Sequence, residues 1–282
     1  MDDRRKGLMS LHSAILIFGG TALFAKLVSL PASDITLWRA LIAALVLFAI
    51  LALRNNRMAL NQPRDGFIML ACGALLGIHW ITYFQSMQIA GVAVGIIAMY
   101  TYPILIVFIE PLFKGHKPQA ADIASAAIMF AGVVLLMPEL DIQNEITQGV
   151  LWGLFSALLF ALRNVLQGHY LKGYRGDTSI LYQGAVAALV SLPFLSTHPL
   201  DITGRDWLLL LVLGCLFTAV PHSLFANSLR YLKAKTVGLI GCLQPVYGTA
   251  LAFLVLSEQP NLTTLLGGAL IVGTAALETY RS

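Results

Sequence analysis

Arg163 is the most deeply placed permanent charge in the long apolar segments of this sequence. At ~1.5 Å per helical residue it lies roughly 13 Å or more from either end of its segment. A charge at the centre of a bilayer costs about 2.5–3.5 kcal/mol on insertion scales, so it is a candidate for function. A guanidinium there can bind a carboxylate or phosphate through two parallel hydrogen bonds. A structural bond to helix-end carbonyls is the alternative.

Two histidines, His79 and His222, lie near the middle of two other apolar segments. Imidazole titrates near pH 6.5, so a histidine that faces a wet cavity can take up and release a proton during a transport cycle. A neutral histidine bonded to a neighbouring helix explains the same residues equally well.

Aromatic and amide side chains surround these positions in sequence. The candidates for substrate contact are Trp80, Tyr83, Tyr100, Tyr247, Asn164 and Gln244, with Tyr102 nearby. Aromatic faces with a polar rim suit an amphipathic organic molecule. Tyr100 and Tyr102 are about 200° apart on a regular helix, so we expect at most one of them to face a cavity.

Two further basic residues, Lys26 and Arg39, lie within one or two turns of a segment end. Long basic side chains at such positions can snorkel to the interface, so we expect snorkelling or a structural bond for both. The pair Gly73 and Gly77 has the spacing that permits close approach of helices, which predicts packing.

Composition places these residues in a membrane protein. Of the 282 residues 58% are hydrophobic and 11% are charged, against about 25% charged in soluble domains. The net charge of +4 is spread over short loops, which argues against nucleic acid. Cys72, Cys215 and Cys242 have neither disulfide nor zinc spacing, and the apolar run after MDDRRKGLMS is predicted to be a retained helix.

Hydropathy predicts an all-α membrane protein with ten transmembrane helices. The predicted spans are residues 9–29, 35–53, 66–87, 92–113, 119–137, 149–169, 179–195, 207–229, 236–256 and 262–280. With the N-terminus inside, the inner loops receive fourteen of the 18 Lys and Arg residues, and the outer loops receive only Arg205. This bias predicts that both termini are cytoplasmic.

The two halves of the chain resemble each other at an offset of 142 residues. Phe18 aligns with Phe160, Pro103 with Pro245, and Pro118 with Pro260. This predicts a first five-helix repeat at residues 1–140 and a second at 141–282. Because five spans are an odd number, the second repeat is inverted, as in secondary transporters that bind substrate near mid-membrane. Pro103 and Pro245 are predicted to kink the fourth and ninth helices beside this site.

The Trp38-Arg39 pair, the two aligned prolines and the Ser257–Pro260 turn resemble the drug/metabolite transporter superfamily, EamA-type. The resemblance covers the whole chain. It implies a secondary transporter that exports small organic metabolites such as amino acids through the bacterial inner membrane, driven by protons and working by alternating access. One departure is that His116 stands where the family repeats the glutamate matched by Glu258.

Other functions remain as alternatives. An importer of a cofactor-like or nucleotide-sugar-like ligand has the same architecture. A membrane-embedded lipid-modifying enzyme is a remote alternative, since the sequence has no acid or histidine cluster at metal-ligand or acid–base spacing. The expected partners are a small-molecule substrate, protons and the lipid bilayer, without metal, cofactor or nucleic acid, and the chain is predicted to act as a monomer or homodimer.

Overall fold

A computed structural model of the protein describes residues 3–55, 58–114, 119–137, 141–171, 173–228, 231–232 and 240–281. All regular secondary structure within these ranges is helical. His116, Pro118, Lys172 and the first four residues of the predicted span 236–256 lie outside the described residues.

The first half contains eight helical pieces. They are α1 (Asp3–Thr21), α2 (Phe24–Leu27), α3 (Ala32–Leu53), α4 (Pro63–Ala90), α5 (Val92–Met99), α6 (Tyr102–Ile109), α7 (Pro111–Lys114) and α8 (Ala120–Leu136). The described part of the second half contains α9 (Glu145–Tyr170), α10 (Gly176–Ser191), α11 (Gly204–Gly214), α12 (Val220–Ser228), α13 (Gln244–Leu256) and α14 (Leu262–Arg281). Short 3-10 turns at Leu192–Phe194 and Pro199–Asp201 precede α11.

Length and hydropathy make many of these helices candidates for crossing a membrane. Within the described residues seven segments are long and apolar enough: Arg4–Leu27, Ala32–Leu53, Pro63–Ala90, Val92–Phe113, Glu145–Tyr170, Gly204–Phe225 and Leu262–Tyr280. Ala120–Leu136 and Gln244–Leu256 are shorter apolar helices. The predicted span 179–195 corresponds to α10, which has 16 residues, fewer than the roughly 20 that a bilayer requires. The count of ten crossings therefore stays a prediction.

The outside of the bundle is strongly apolar. Large side chains such as Leu45, Phe67, Phe130, Leu189 and Leu254 are more than half exposed. An apolar surface of this extent is unfavourable in water and is typical of contact with lipid. The chain is a multi-pass membrane protein.

The helix breaks lie just before the two aligned prolines. The interruption between α5 and α6 falls at Tyr100 and Thr101, and Pro103 is in the first turn of α6. Pro245 is likewise in the first turn of α13. A proline in a first turn lacks only an N–H that has no helical partner there, so it starts the new helix without loss.

A π-helical turn at Cys215–Ala219 joins α11 to α12. The Thr218 hydroxyl donates to the Leu213 carbonyl at 2.8 Å, five residues earlier. A π turn holds one residue more than an α turn and often occurs at functional sites. The corresponding helix of the first half, α4, runs without such an interruption.

Small residues bring α4 into close contact with two helices of the second half. A Cβ on Gly73 would lie 2.5 Å from Val186 Cβ, and one on Gly77 would lie 3.0 Å from Ala187 Cα, both on α10. A Cβ on Gly149 of α9 would lie 2.2 Å from Ala90 Cβ. The predicted packing role of Gly73 and Gly77 is confirmed, and α4 lies at the interface of the halves.

Carboxylates fix the loops at one end of the bundle, which we call the Glu258 end. Glu258 accepts hydrogen bonds from the Val92 N–H at 2.8 and 3.1 Å, at the start of α5. Asp34 accepts from the N–H groups of Ser196 and Thr197. These bonds satisfy helix-end donors and join segments far apart in sequence.

A substitution at Gly91 tests the contact that Glu258 makes with the start of α5. Its φ of 94° is a conformation that side chains rarely adopt, and an added Cβ would lie 2.1 Å from the Glu258 carboxylate. We expect Gly91→Ala to lower the free energy of unfolding by about 1–3 kcal/mol, measured as a lower thermal midpoint in detergent. Gly168→Ala is the control, because no heavy atom lies within 4 Å of its added Cβ. Equal midpoints for the two variants would contradict the expectation.

Candidate functional site

His79 connects α4 to α9 in the interior of the bundle. It is buried, and its Nδ1 lies 2.7 Å from the Ser156 hydroxyl oxygen and 3.1 Å from the Ser156 carbonyl oxygen. The Ser156 hydroxyl also lies 3.0 Å from the His79 carbonyl. The imidazole stacks on Phe160 with ring centroids 4.7 Å apart and on Tyr83 at 5.8 Å. His79 is therefore bonded to a neighbouring helix, as one of the two interpretations of the sequence expects.

His222 occupies a matching environment in α12. Its Nδ1 lies 2.7 Å from the Thr218 carbonyl oxygen. Its ring contacts Phe18 edge-on at a centroid distance of 4.8 Å and Trp80 at 6.3 Å. We call the rings in contact with the two histidines the central group of rings; they are Phe18, Trp80, Tyr83 and Phe160.

The contacts of the two histidines are reciprocal between the halves. Phe18 of the first half contacts His222 of the second, and Phe160 of the second half contacts His79 of the first. The centroid distances are 4.8 and 4.7 Å, and the two phenylalanines align at the offset of 142 residues. The repeat alignment could have identified Phe18 and Phe160, which the list of candidates omitted.

Tyr100 and Tyr102 lie together at the break between α5 and α6. The Tyr100 hydroxyl donates to the Gly241 carbonyl at 2.6 Å and lies 3.2 Å from Gln244 Oε1. The Tyr102 ring lies 5.6 Å from the Tyr100 ring and 4.9 Å from Phe160. The rings lie together because the helix is interrupted at Thr101, so the 200° spacing of a regular helix does not apply here. Which of the two faces a cavity stays a prediction.

Arg163 is buried on α9, with 8% of its surface exposed. Its Nε donates to Gln183 Oε1 at 2.8 Å, and Nη1 donates to Asn164 Oδ1 at 3.0 Å. Gln183 is itself held by Ser179 at 2.7 Å. Nη2 has no hydrogen-bond partner among the described residues. Neutral groups therefore fix the guanidinium in place, and one of its nitrogens is buried without a partner.

Arg39 differs from the expectation of snorkelling. Only 3% of its surface is exposed, because its guanidinium lies over the Trp80 ring, 4.3 Å from the centroid, and 5.1 Å from the Phe84 centroid. Position along α3 sets the distance from a helix end, but the facing helix α4 covers the side chain. Lys26 makes the structural bond expected of it, to the Gln88 carbonyl at 2.8 Å.

The remaining candidates are more peripheral. Tyr247 packs in an apolar cluster with Leu11 and Ile15 of α1. Asn164 borders a small cavity of about 170 Å³ with Glu110 and His169. A larger groove of about 760 Å³ lies between α5, α13 and α14, with Pro245 in its wall. His79, His222 and Arg39 do not line either of these two cavities.

Tyr100 and Tyr102 form a matched pair for testing the connection between the halves. Tyr100→Phe leaves the buried Gly241 carbonyl without its donor, so we expect a loss of about 1–3 kcal/mol in unfolding free energy. Tyr102→Phe removes a hydroxyl that has no hydrogen bond within the described part of the chain, and we expect little change. The thermal midpoints of both purified variants measure the difference, and a larger loss for Tyr102→Phe would count against this role of Tyr100.

Solved and curated proteins resemble the chain over most of its length. A crystal structure superposes with a TM-score of 0.68 at 23% identity and covers 96% of both chains, which supports the fold. The uncharacterized transporter YxxF of Bacillus subtilis is 27% identical over 95% of this chain and 88% of its own length. The pseudopaline exporter CntI of Pseudomonas aeruginosa is 25% identical over 86% and 84%. The aromatic amino acid exporter YddG of Ancylobacter novellus is 25% identical over 78% and 77%.

The EamA-like transporter family matches two segments of the chain, residues 5–137 and 147–279. The two segments begin 142 residues apart and end 142 residues apart, which is the offset of the predicted repeat. Together they include the reciprocal histidine and phenylalanine contacts. The chain belongs to the EamA-like transporter family of the drug/metabolite transporter superfamily.

Proposed function

We propose that this protein is a proton-driven secondary transporter that exports small organic metabolites, such as amino acids, across the bacterial inner membrane by alternating access. The reciprocal contacts of His79 with Phe160 and of His222 with Phe18 carry the proposal. Each contact joins one half of the chain to the other, which supports a substrate site between the halves. A rocking motion of one half against the other would open this site to each side in turn.

The names of relatives support export of organic solutes. CntI is an exporter of pseudopaline, and YddG is an exporter of aromatic amino acids. A relative from Rickettsia felis, 22% identical over 80% of this chain, is an S-adenosylmethionine uptake transporter. Import of a cofactor-like ligand is therefore the second candidate, and transport has to be measured in both directions.

In this proposal the candidate residues have different roles in binding. Arg163 binds a carboxylate through its unpaired Nη2, and Trp80, Tyr83 and Tyr100 contact the organic body. His79 and His222 exchange protons when the site opens to water. Asn164, Gln244 and Tyr247 contribute at the margins, through a bond to Arg163, a bond to Tyr100 and packing on α1.

The proposed architecture is ten crossings in two inverted repeats, residues 1–140 and 141–282. Lys and Arg residues concentrate on the loops of one side, which we assign to the cytoplasm together with both termini. The Glu258 end then faces the periplasm. One chain contains the whole central site, so a monomer suffices for transport.

Purified protein in liposomes tests transport and its coupling. Proteoliposomes loaded with labelled phenylalanine should release it faster than protein-free liposomes with the same load when a pH gradient is imposed. A protonophore should abolish the acceleration. The reverse loading measures uptake. Rates equal to those of protein-free liposomes for a panel of amino acids in both directions would contradict the proposal.

Substitution of Arg163 tests whether the transported substrates are anionic or neutral. We expect Arg163→Ala to reduce transport of carboxylate-bearing substrates about tenfold or more, because a hydrogen bond to a charged group is lost, while neutral analogues keep their rates. Arg175→Ala is the control, since this exposed arginine pairs with Asp177 at 2.7 Å outside the centre. Reconstituted amounts of each variant are matched by quantitative immunoblot, and parallel losses for both substrate classes would rule out the assigned role.

A further inference from the structure

Arg39 is a buried cation without a compensating anion. Its Nε has no hydrogen-bond partner, and no ion pair to Arg39 occurs among the described residues. Asp34 on the same helix does not pair with Arg39; its carboxylate accepts hydrogen bonds from the Ser196 and Thr197 amides. The guanidinium is thus surrounded by aromatic faces and by groups that do not balance its charge.

Burial of an unpaired guanidinium is unfavourable, and the rings offset only part of this cost. A cation over an aromatic face is stabilised by the ring quadrupole, and Trp80 and Phe84 supply such faces. The favourable partner for a desolvated guanidinium is a carboxylate or another oxyanion that binds two N–H groups. No such group from the described chain reaches Arg39, so a bound anion would complete the site.

The two buried arginines lie toward opposite ends of the central group of rings. Arg39 is in the second turn of α3, near the Glu258 end, whereas Arg163 is in the last turns of α9, near the other end. Arg39 lies against the Trp80 ring, whose centroid is 6.3 Å from that of His222, and Arg163 follows Phe160 by about one turn on α9. Two positive charges, each with an unpaired buried nitrogen, therefore lie on either side of the central group of rings.

We propose that Arg39 is a second anion-binding residue of the transport site, and that the substrate class is organic carboxylates with an aromatic or apolar body. The guanidinium carbon of Arg39 lies 4.3 Å from the Trp80 centroid, and a guanidinium that stacks on a ring keeps its N–H edge for a carboxylate. Arg163 receives the same group near one end of the site and Arg39 near the other. This inference rests on the proposed function, because it names the substrate of that site.

Matched acid and alcohol probes test the inference on the purified full-length protein. Isothermal titration calorimetry compares 3-phenylpropionate with 3-phenylpropan-1-ol, which share the ring and chain but differ in charge. We expect the wild type to bind the acid about tenfold more tightly than the alcohol or better. Arg39→Gln should weaken acid binding about tenfold while alcohol binding stays within twofold.

Two variants control for charge and for folding. Lys26→Gln removes a basic side chain near the same end that is already bonded to the Gln88 carbonyl, and it should keep the preference for the acid. Arg39→Lys keeps a charge beside Trp80 but lacks the planar fork, so acid binding should fall with an unchanged thermal midpoint. If Arg39→Gln does not fold, the acid binding of Arg39→Lys tests the inference.

Three results would overturn the inference. They are a wild type that binds the acid no better than the alcohol, a wild type that does not bind the acid, and Arg39 variants that keep the wild-type preference. Because binding is measured without a gradient, a failure of transport in liposomes leaves the binding result intact. The two proposals can therefore fail separately.

Discussion

The interior of a lipid-embedded bundle offers no water, so each buried polar group has to find its partner inside the protein. Most described groups do so across helices. Ser156 binds His79 on another helix, Gln183 fixes Arg163, and the Asp34 carboxylate closes a distant loop. Five described side chains keep a buried polar atom without a partner, and Arg39 and Arg163 are the charged ones among them. Their position beside the central group of rings is the physical basis for proposing a binding site there.

The reciprocal pairing of rings gives the proposed cycle a structural basis. Each half contributes a histidine to one pair and a phenylalanine to the other. If the halves rotate relative to each other, the two pairs need not loosen together, since they lie on different helices. Glu258, bonded to the first turn of α5, limits how far the halves separate at its end and makes α5 move with the turn after α13.

Sequence patterns predicted the helices well where length and hydropathy decide them. Nine predicted spans coincide with apolar helices, and the 142-residue offset identified residues that make equivalent contacts. The environments of individual side chains were harder to predict from the sequence. Arg39 was expected to snorkel to the interface or to make a structural bond, and its burial against α4 was missed because distance along a helix carries no information about which helix faces it. The contact between the Tyr100 and Tyr102 rings was missed because no local pattern marked Thr101 as the break.

The π-helical turn at Cys215–Ala219 introduces an asymmetry into an otherwise repeated design. At the 142-residue offset His79 aligns with Pro221, and His222 follows one position later, after a turn that holds one residue more than an α turn. In the proposed transport cycle, two halves related by perfect symmetry would make the inward-open and outward-open forms equal in energy. A distortion confined to one half would remove that equality, so the empty protein would prefer one side even without a substrate or a gradient.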